Sequence, residues 1–597
     1  MKWFFTPPAE TDPSSRHDDE NAPGLISLPP ELLQRHGAQV LDPGKAALLS
    51  GDQPPRPTVY RARTLLIPDD VIQNDDLIGA AGEILGNIGL ELRLPGGDLG
   101  FGRDDGEIFD ILRQLPRPVV LAPVQGFAPV ESFPTPVVVD AWVALQTLRA
   151  RAVDQDRPEG FREAVERISL EHLLVGSAIT GSPAGGWGGG IAGGPGTSSG
   201  AGPGSTDSYL FSGGDPRTPV AVLVDPPARQ SDGAIVSEYG RRPVVAVVDT
   251  GVRAHPWLDV APNGAGGYTM PAGSFVTVDD AIQDAIRAEG EAVNGSDGSR
   301  QVIWTAWDKP MTANPLIGEC NPALGHSTFI AGIVRQVAPD ARVLAVRVMH
   351  SDDVANEGDI ICALGQLAAR IALAEQGDLA GMVDVVSLSF GYFSESGYDQ
   401  TMTSGLWTAI EALLSLGVVV VAAAGNFATR REYYPAAFAL HPVPDGQVPV
   451  ISVGALNPNG TKAMFSNDGH WVKAWAQGAC VVSTYPVDVD GRRAPELRVP
   501  VNRRPPGVLP PGREALDPDD FTDGWAIWSG TSFSAPYLAA LITRALLSGA
   551  AAGSGLRLDN PGQQAAANRA MAAVEMLREE EEQLRQEETR RPADRDE

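Results

Sequence analysis

Cysteine is almost missing: 597 residues hold three, Cys320, Cys362 and Cys480, far apart in the chain. That excludes a small disulfide scaffold, and with no CxxC pair it offers no zinc-binding pattern; so few thiols suit a reducing compartment. Long apolar runs are missing too, since nothing reaches the roughly 20 residues that span a bilayer. The apolar start at Trp3 to Phe5 is too short for the core of a secretory signal. Positive charge is outnumbered: 46 Lys and Arg stand against 75 Asp and Glu, a formal net charge of −29. Such a balance disfavours nucleic acid and anionic membrane surfaces as partners. These absences together lead to the expectation of a soluble, cytoplasmic protein with no nucleic-acid and no membrane partner.

What is present divides along the chain. Residues 1–54 are rich in Pro, Asp and Ser without periodicity and read as a disordered arm. Residues 55–175 read as a small α/β or α+β accessory domain. Strands are expected at 58–67, 90–94 and 118–123, and helices at 75–88, 141–152 and 160–174. Residues 176–218 form a linker; 14 of the 34 positions from 181 to 214 are glycine, the composition of a flexible tether. From 219 to 550 short runs of Val, Ala and Leu alternate with helical stretches, which predicts a parallel sheet buried on both faces by helices. Residues 551–597, Ala-rich and then charged, read as a solvated helical tail.

Three segments carry the chemistry. Val-Val-Ala-Val-Val-Asp249-Thr-Gly ends a buried strand in a carboxylate, where α/β proteins place functional groups. Gly325-His326-Ser-Thr-Phe-Ile-Ala-Gly332 brings a histidine into a helix of small residues, and Ser529-Gly-Thr-Ser532-Phe-Ser-Ala-Pro536 sets a serine at a helix start. Singly, Asp249 is a turn former, His326 a structural histidine and Ser532 a helix cap. Jointly, in the order Asp, His, Ser, they resemble the subtilisin-like serine peptidases, the S8 subtilases. Gln336-Val-Ala-Pro-Asp-Ala-Arg-Val-Leu-Ala-Val-Arg-Val348, Val386-Ser-Leu-Ser-Phe-Gly391, Val418-Val-Val-Val-Ala-Ala-Ala-Gly-Asn426, Val453-Gly-Ala and Phe465-Ser-Asn-Asp-Gly469 are similar to further segments of that family, so the resemblance covers roughly half the chain.

The resemblance implies a three-layer α/β fold with a mostly parallel central sheet, and a serine endopeptidase that works through an acyl-enzyme. Asp249, His326 and Ser532 are the implied triad and Asn426 the oxyanion donor. Ser389, Phe390, Gly391, Ala423 and Gly425 are the implied substrate-binding residues. No cofactor or metal is implied as necessary; structural calcium is frequent in the family, but no ligand cluster for it stands out. Protein or peptide is the implied substrate. An inactive binding module and a peptide ligase or macrocyclase using the same acyl-enzyme remain the alternatives.

Ser327 and Phe329 stand where the family usually has Gly and His, and Gln477 where proline is common. Insertions are expected at about 258–320 and 486–523 as surface loops that shape the cleft. The accessory domain has the position of a pro-domain, which in this family assists folding and blocks the cleft. Its long tether and the lack of a signal peptide point equally to a domain that regulates the peptidase in cis or docks a partner.

Overall fold

A computed structural model describes residues 2–7, 28–48, 53–97, 101, 106–124, 138–178, 217–264, 267–298, 300–314, 319–321, 323–375, 379–397, 403–489, 521–551 and 555–590. The glycine-rich stretch 181–214 and most of the 486–523 insertion lie outside the described residues.

The first third of the chain builds a small antiparallel sheet. Its strands are β2 (Ala38–Leu41), β3 (Thr58–Pro68), β4 (Leu90–Arg93), β5 (Pro116–Pro123) and β6 (Ser169–Gly176), preceded in the chain by β1 (Trp3–Phe5). One face, with Leu65, Ile67, Val119, Leu121 and Leu170, packs on helices α1 (Asp75–Gly86) and α2 (Ala141–Arg151) in a core of its own. Leu66 and Leu173, on the other face, and Leu174 near the end of β6 belong to the core of the larger domain.

That larger domain has a parallel sheet of β7 (Val244–Asp249), β8 (Val276–Val278), β9 (Arg342–Arg347), β11 (Val385–Leu388), β13 (Val419–Ala423), β14 (Ile451–Leu456) and β15 (Ala474–Gln477). Two cleft strands lie outside it, β10 (Val354–Asn356) and β12 (Phe390–Gly391). The order across the main sheet is β1-β15-β14-β13-β11-β7-β9-β8. Side chains alternate across a strand, and here both faces are apolar. Val245, Val247, Val385, Val419 and Val421 face helices α4 (His326–Val337) and α7 (Thr531–Ala551). Ala246, Val248, Val386, Leu388 and Val420 face α5 (Glu357–Ala374) and α6 (Gly405–Ser415). The three layers are thus written in the period-two division of each Val-rich run.

Several expectations need correction. The 160–174 stretch is not one helix: Phe161–Glu166 is helical, and the chain then turns extended as β6. The apolar residues of this stretch fit either period, and pairing with β3 decides for the strand. Residues 1–54 are not wholly an arm, because β1 adds to the main sheet antiparallel to β15, with Phe4 opposite Trp475, and β2 pairs with β3. The terminal helix α8 (Gln563–Arg590) is not simply solvated: Ala570, Ala573, Val574 and Leu577 are buried, and its buried Glu581 accepts the Phe5 N–H at 3.0 Å. The 258–320 insertion is more than a surface loop. It supplies edge strand β8 and helix α3 (Asp280–Asp297).

Candidate active site

Strand β7 ends at Asp249, whose carboxylate Oδ1 accepts the Thr250 N–H and lies 2.7 Å from His326 Nδ1. His326 is the first residue of α4. Its cap, Gly325, has φ 82, a left-handed conformation that glycine adopts without strain, and its N–H donates to Asp308 Oδ2 at 2.8 Å. The far end of the 258–320 insertion therefore holds the helix that presents the imidazole. Trp528 and Phe533 enclose the ring, with centroids 5.5 and 5.6 Å away. Burial opposes protonation of His326, but the Asp249 carboxylate beside it prevails and raises its pKa above 6.5. Phe329 packs against the same Trp528 and Phe533 rings, so it supports this aromatic wall.

Ser532 lies in the first turn of α7, where backbone N–H groups have no partner within the helix. Its N–H donates to the carbonyl of Ser177 at 2.9 Å. Asn426 Nδ2 donates to that same carbonyl oxygen at 2.6 Å. Two donors from Thr531, its N–H and its hydroxyl, grip Asn426 Oδ1 at 3.0 and 2.9 Å and so fix which end of the amide faces Ser177. The Ser532 hydroxyl donates to Ser389 O at 3.1 Å rather than to His326. His326 Nε2 is buried and makes no hydrogen bond among the described residues. Pro536 has no N–H to offer the Ser532 carbonyl one turn back, and Ser389 Oγ fills that vacancy, donating to Ser532 O at 3.0 Å.

The residue whose carbonyl is gripped belongs to the first half of the same chain. Strand β6 lies between the two cleft strands, antiparallel to both: Val175 is opposite Val354 and Gly391, and Gly176 is opposite Phe390. Ser177 N–H donates to Ser389 O at 2.9 Å, and Gly176 N–H to Asp353 O at 3.1 Å. An extended peptide added as a strand between two edges is met in this way. Ser389, Phe390 and Gly391 thus touch β6. Ala423 ends β13, buried, and Gly425 follows it at φ 93 with its N–H on Thr531 Oγ1 at 3.0 Å. Among the described residues, neither Ala423 nor Gly425 hydrogen-bonds β6.

Sequence reasoning missed Ser177, Asp353, Asp308 and Tyr433. Tyr433 is buried between Gly391 and Gly425 and donates to Val175 O at 3.1 Å. The available signal was the short apolar run Leu173 to Val175, readable as helix or strand, ending in Gly-Ser-Ala just before a glycine tether. Such a tail can lie flat in a groove.

A buried carboxylate and imidazole, a serine at a helix start and two donors converging on a peptide carbonyl define a serine hydrolase site on an α/β domain. The chain belongs to the subtilase family of serine peptidases, whose family model matches residues 240–548. It is similar to Subtilisin E of Bacillus subtilis (strain 168), 26% identical over 283 residues that cover 44% of this chain and 64% of that protein. It is also similar to the Thermophilic serine proteinase of Bacillus sp. (strain AK1), 31% identical over 169 residues, or 27% and 35% of the two chains. The crystal structure of MycP1 with its N-terminal propeptide removed aligns over 55% of this chain and 83% of that one, at 20% identity and a TM-score of 0.30. The chain spans less than two thirds of the subtilisins it matches.

Proposed function

We propose that the chain is a serine endopeptidase, with Ser532 as nucleophile, His326 as general base and then acid, Asp249 as the group that orients the imidazole, and Asn426 as oxyanion donor. The observation that carries this reading is the Ser177 carbonyl, gripped by Asn426 Nδ2 and the Ser532 N–H at 2.6 and 2.9 Å. These are the donors that a carbonyl oxygen needs as it becomes an oxyanion. The Ser532 hydroxyl turns about one bond from Ser389 O toward His326 Nε2, which takes its proton as Oγ bonds to the carbonyl carbon. The tetrahedral centre collapses, the C–N bond breaks, and His326 returns the proton to the leaving amine. Water, activated by the same imidazole, then releases the acyl group. Each step uses side chains and backbone N–H groups of this chain. Its first substrate is its own 177–178 bond, and β6 fills the cleft until it leaves.

A fluorophosphonate probe applied to the full chain tests the reading. The label is expected on Ser532, at the rate at which β6 opens from the cleft, and is expected to vanish in Ser532→Ala. Undiminished labelling of that variant overturns the assignment.

A further inference from the structure

Gly176, the residue just before the gripped carbonyl, needs an explanation. Its backbone is extended within β6 and is absent from the positive-φ positions among the described residues, so conformation alone does not require glycine there. Space does. A Cβ added at Gly176 would overlap Asp353 Oδ1 and stand 2.8 Å from Asp353 Cγ. Asp353 itself is tightly held. It has φ 73, its N–H donates to His350 O at 3.0 Å, and its O accepts the Gly176 N–H at 3.1 Å. It is buried, and its Oδ1 has no hydrogen-bond partner among the described residues. Burial and these two backbone hydrogen bonds limit the room its carboxyl has to retreat.

We infer that Asp353 determines specificity, by closing the pocket for the residue before the cleaved position, so that the enzyme selects peptides with glycine there. This rests on the peptidase reading above and names its substrate class: extended chains in which glycine precedes the residue whose carbonyl is attacked. An acid beside that position would ordinarily be read as a trap for Lys or Arg. Burial instead pushes the Asp353 carboxyl up to about 8, against the opposing pull of His326, so at neutral pH it is mostly uncharged. It acts as a wall and not as a counter-ion.

The test uses the full chain in a Ser532→Ala background, where scission does not occur, and reads amide hydrogen exchange of residues 170–178 by mass spectrometry. With Gly176 the segment is expected to exchange slowly. Gly176→Ala is expected to speed exchange roughly tenfold or more, the usual scale for forcing a methyl into filled space. Asp353→Gly suits the left-handed backbone at that position and is expected to fold. Combined with Gly176→Ala, it is expected to restore slow exchange. Fast exchange in the parent, unchanged exchange in Gly176→Ala, or no rescue by Asp353→Gly overturns the inference. Chemistry is absent throughout, so such a result speaks of the pocket alone, whereas loss of the peptidase reading would appear in the labelling of Ser532.

Discussion

Asn426 shows how little freedom the site leaves a single residue. Thr531 holds its oxygen twice, and its nitrogen has one place to point, the Ser177 carbonyl. A donor set in advance toward developing charge needs no reorganisation as the reaction proceeds. Asn426→Ala is therefore expected to slow scission of the 177–178 bond about 100- to 1000-fold, measured as a first-order rate from intact mass over time. A loss of twofold or less would mean that the helix N-terminus suffices. Ser389 is similarly fixed. Its hydroxyl serves the carbonyl freed by Pro536, and its own carbonyl receives both Ser177 N–H and the Ser532 hydroxyl.

Strand β6 is the element that lies between the two cleft strands, and His172 is its clamp. The imidazole lies 2.6 Å from Glu357 at the start of α5 and 2.7 Å from Glu395 beyond β12, with the Tyr392 ring stacked at 4.3 Å. Burial alone would lower its pKa, but the carboxylates of Glu357 and Glu395 prevail and raise it to about 10. Burial would raise Glu395, yet His172 draws it down to about 2. A raised histidine contributes stability that is complete below its ordinary 6.5 and is lost as pH climbs through 10. A depressed glutamate contributes above its ordinary 4.5 and is lost as pH falls toward 2. Docking of β6 is thus strongest between these ordinary values and weakens on both sides. His172→Gln, which leaves two buried carboxylates facing no cation, is expected to cost docking about 3–5 kcal/mol near pH 6 and much less near pH 10. Hydrogen exchange of β6 across that pH range checks this, and a pH-independent difference would contradict it.

The same strand marks the limit of what the sequence made legible. The Val-rich runs that become β7, β11 and β13 were readable because both faces are apolar, and Asp249, His326, Asn426 and Ser532 carry local motifs. Strand β6 was not readable, since Leu170, Leu173 and Leu174 suit a helix face as well as a strand, and its partners β10 and β12 lie about 180 residues or more further on. Strand β1 was hidden for the same reason: three residues gain meaning only from β15, nearly 470 positions away. Asp353 and Tyr433 belong to no motif, and only the close approach of Gly176, Gly391 and Gly425 reveals them.

At the scale of the whole molecule, the N-terminal third of the chain is bound at widely separated places. Strand β6 fills the cleft, and β1 extends the far edge of the main sheet under α8. Between them lie buried ion pairs: Arg300 with Glu171 and Asp359, each at 2.6 Å, and Arg117 with Glu289 at 2.7 Å. Such pairs add little net stability when intact, but parting them strands charge, so they resist separation. Scission at 177–178 is accordingly expected to yield two fragments that co-elute in native gel filtration and separate only in denaturant. An N-terminal fragment that elutes alone would show that β1 and the ion pairs do not hold it.

Intact mass of the purified full chain after incubation, beside its Ser532→Ala variant, reaches the centre of this account. The parent chain is expected to divide into residues 1–177 and a second fragment beginning at Ala178, while Ser532→Ala stays whole. Scission at that bond in the variant, or a parent that remains whole, would contradict the claim that Ser532 acts on the carbonyl held by Asn426.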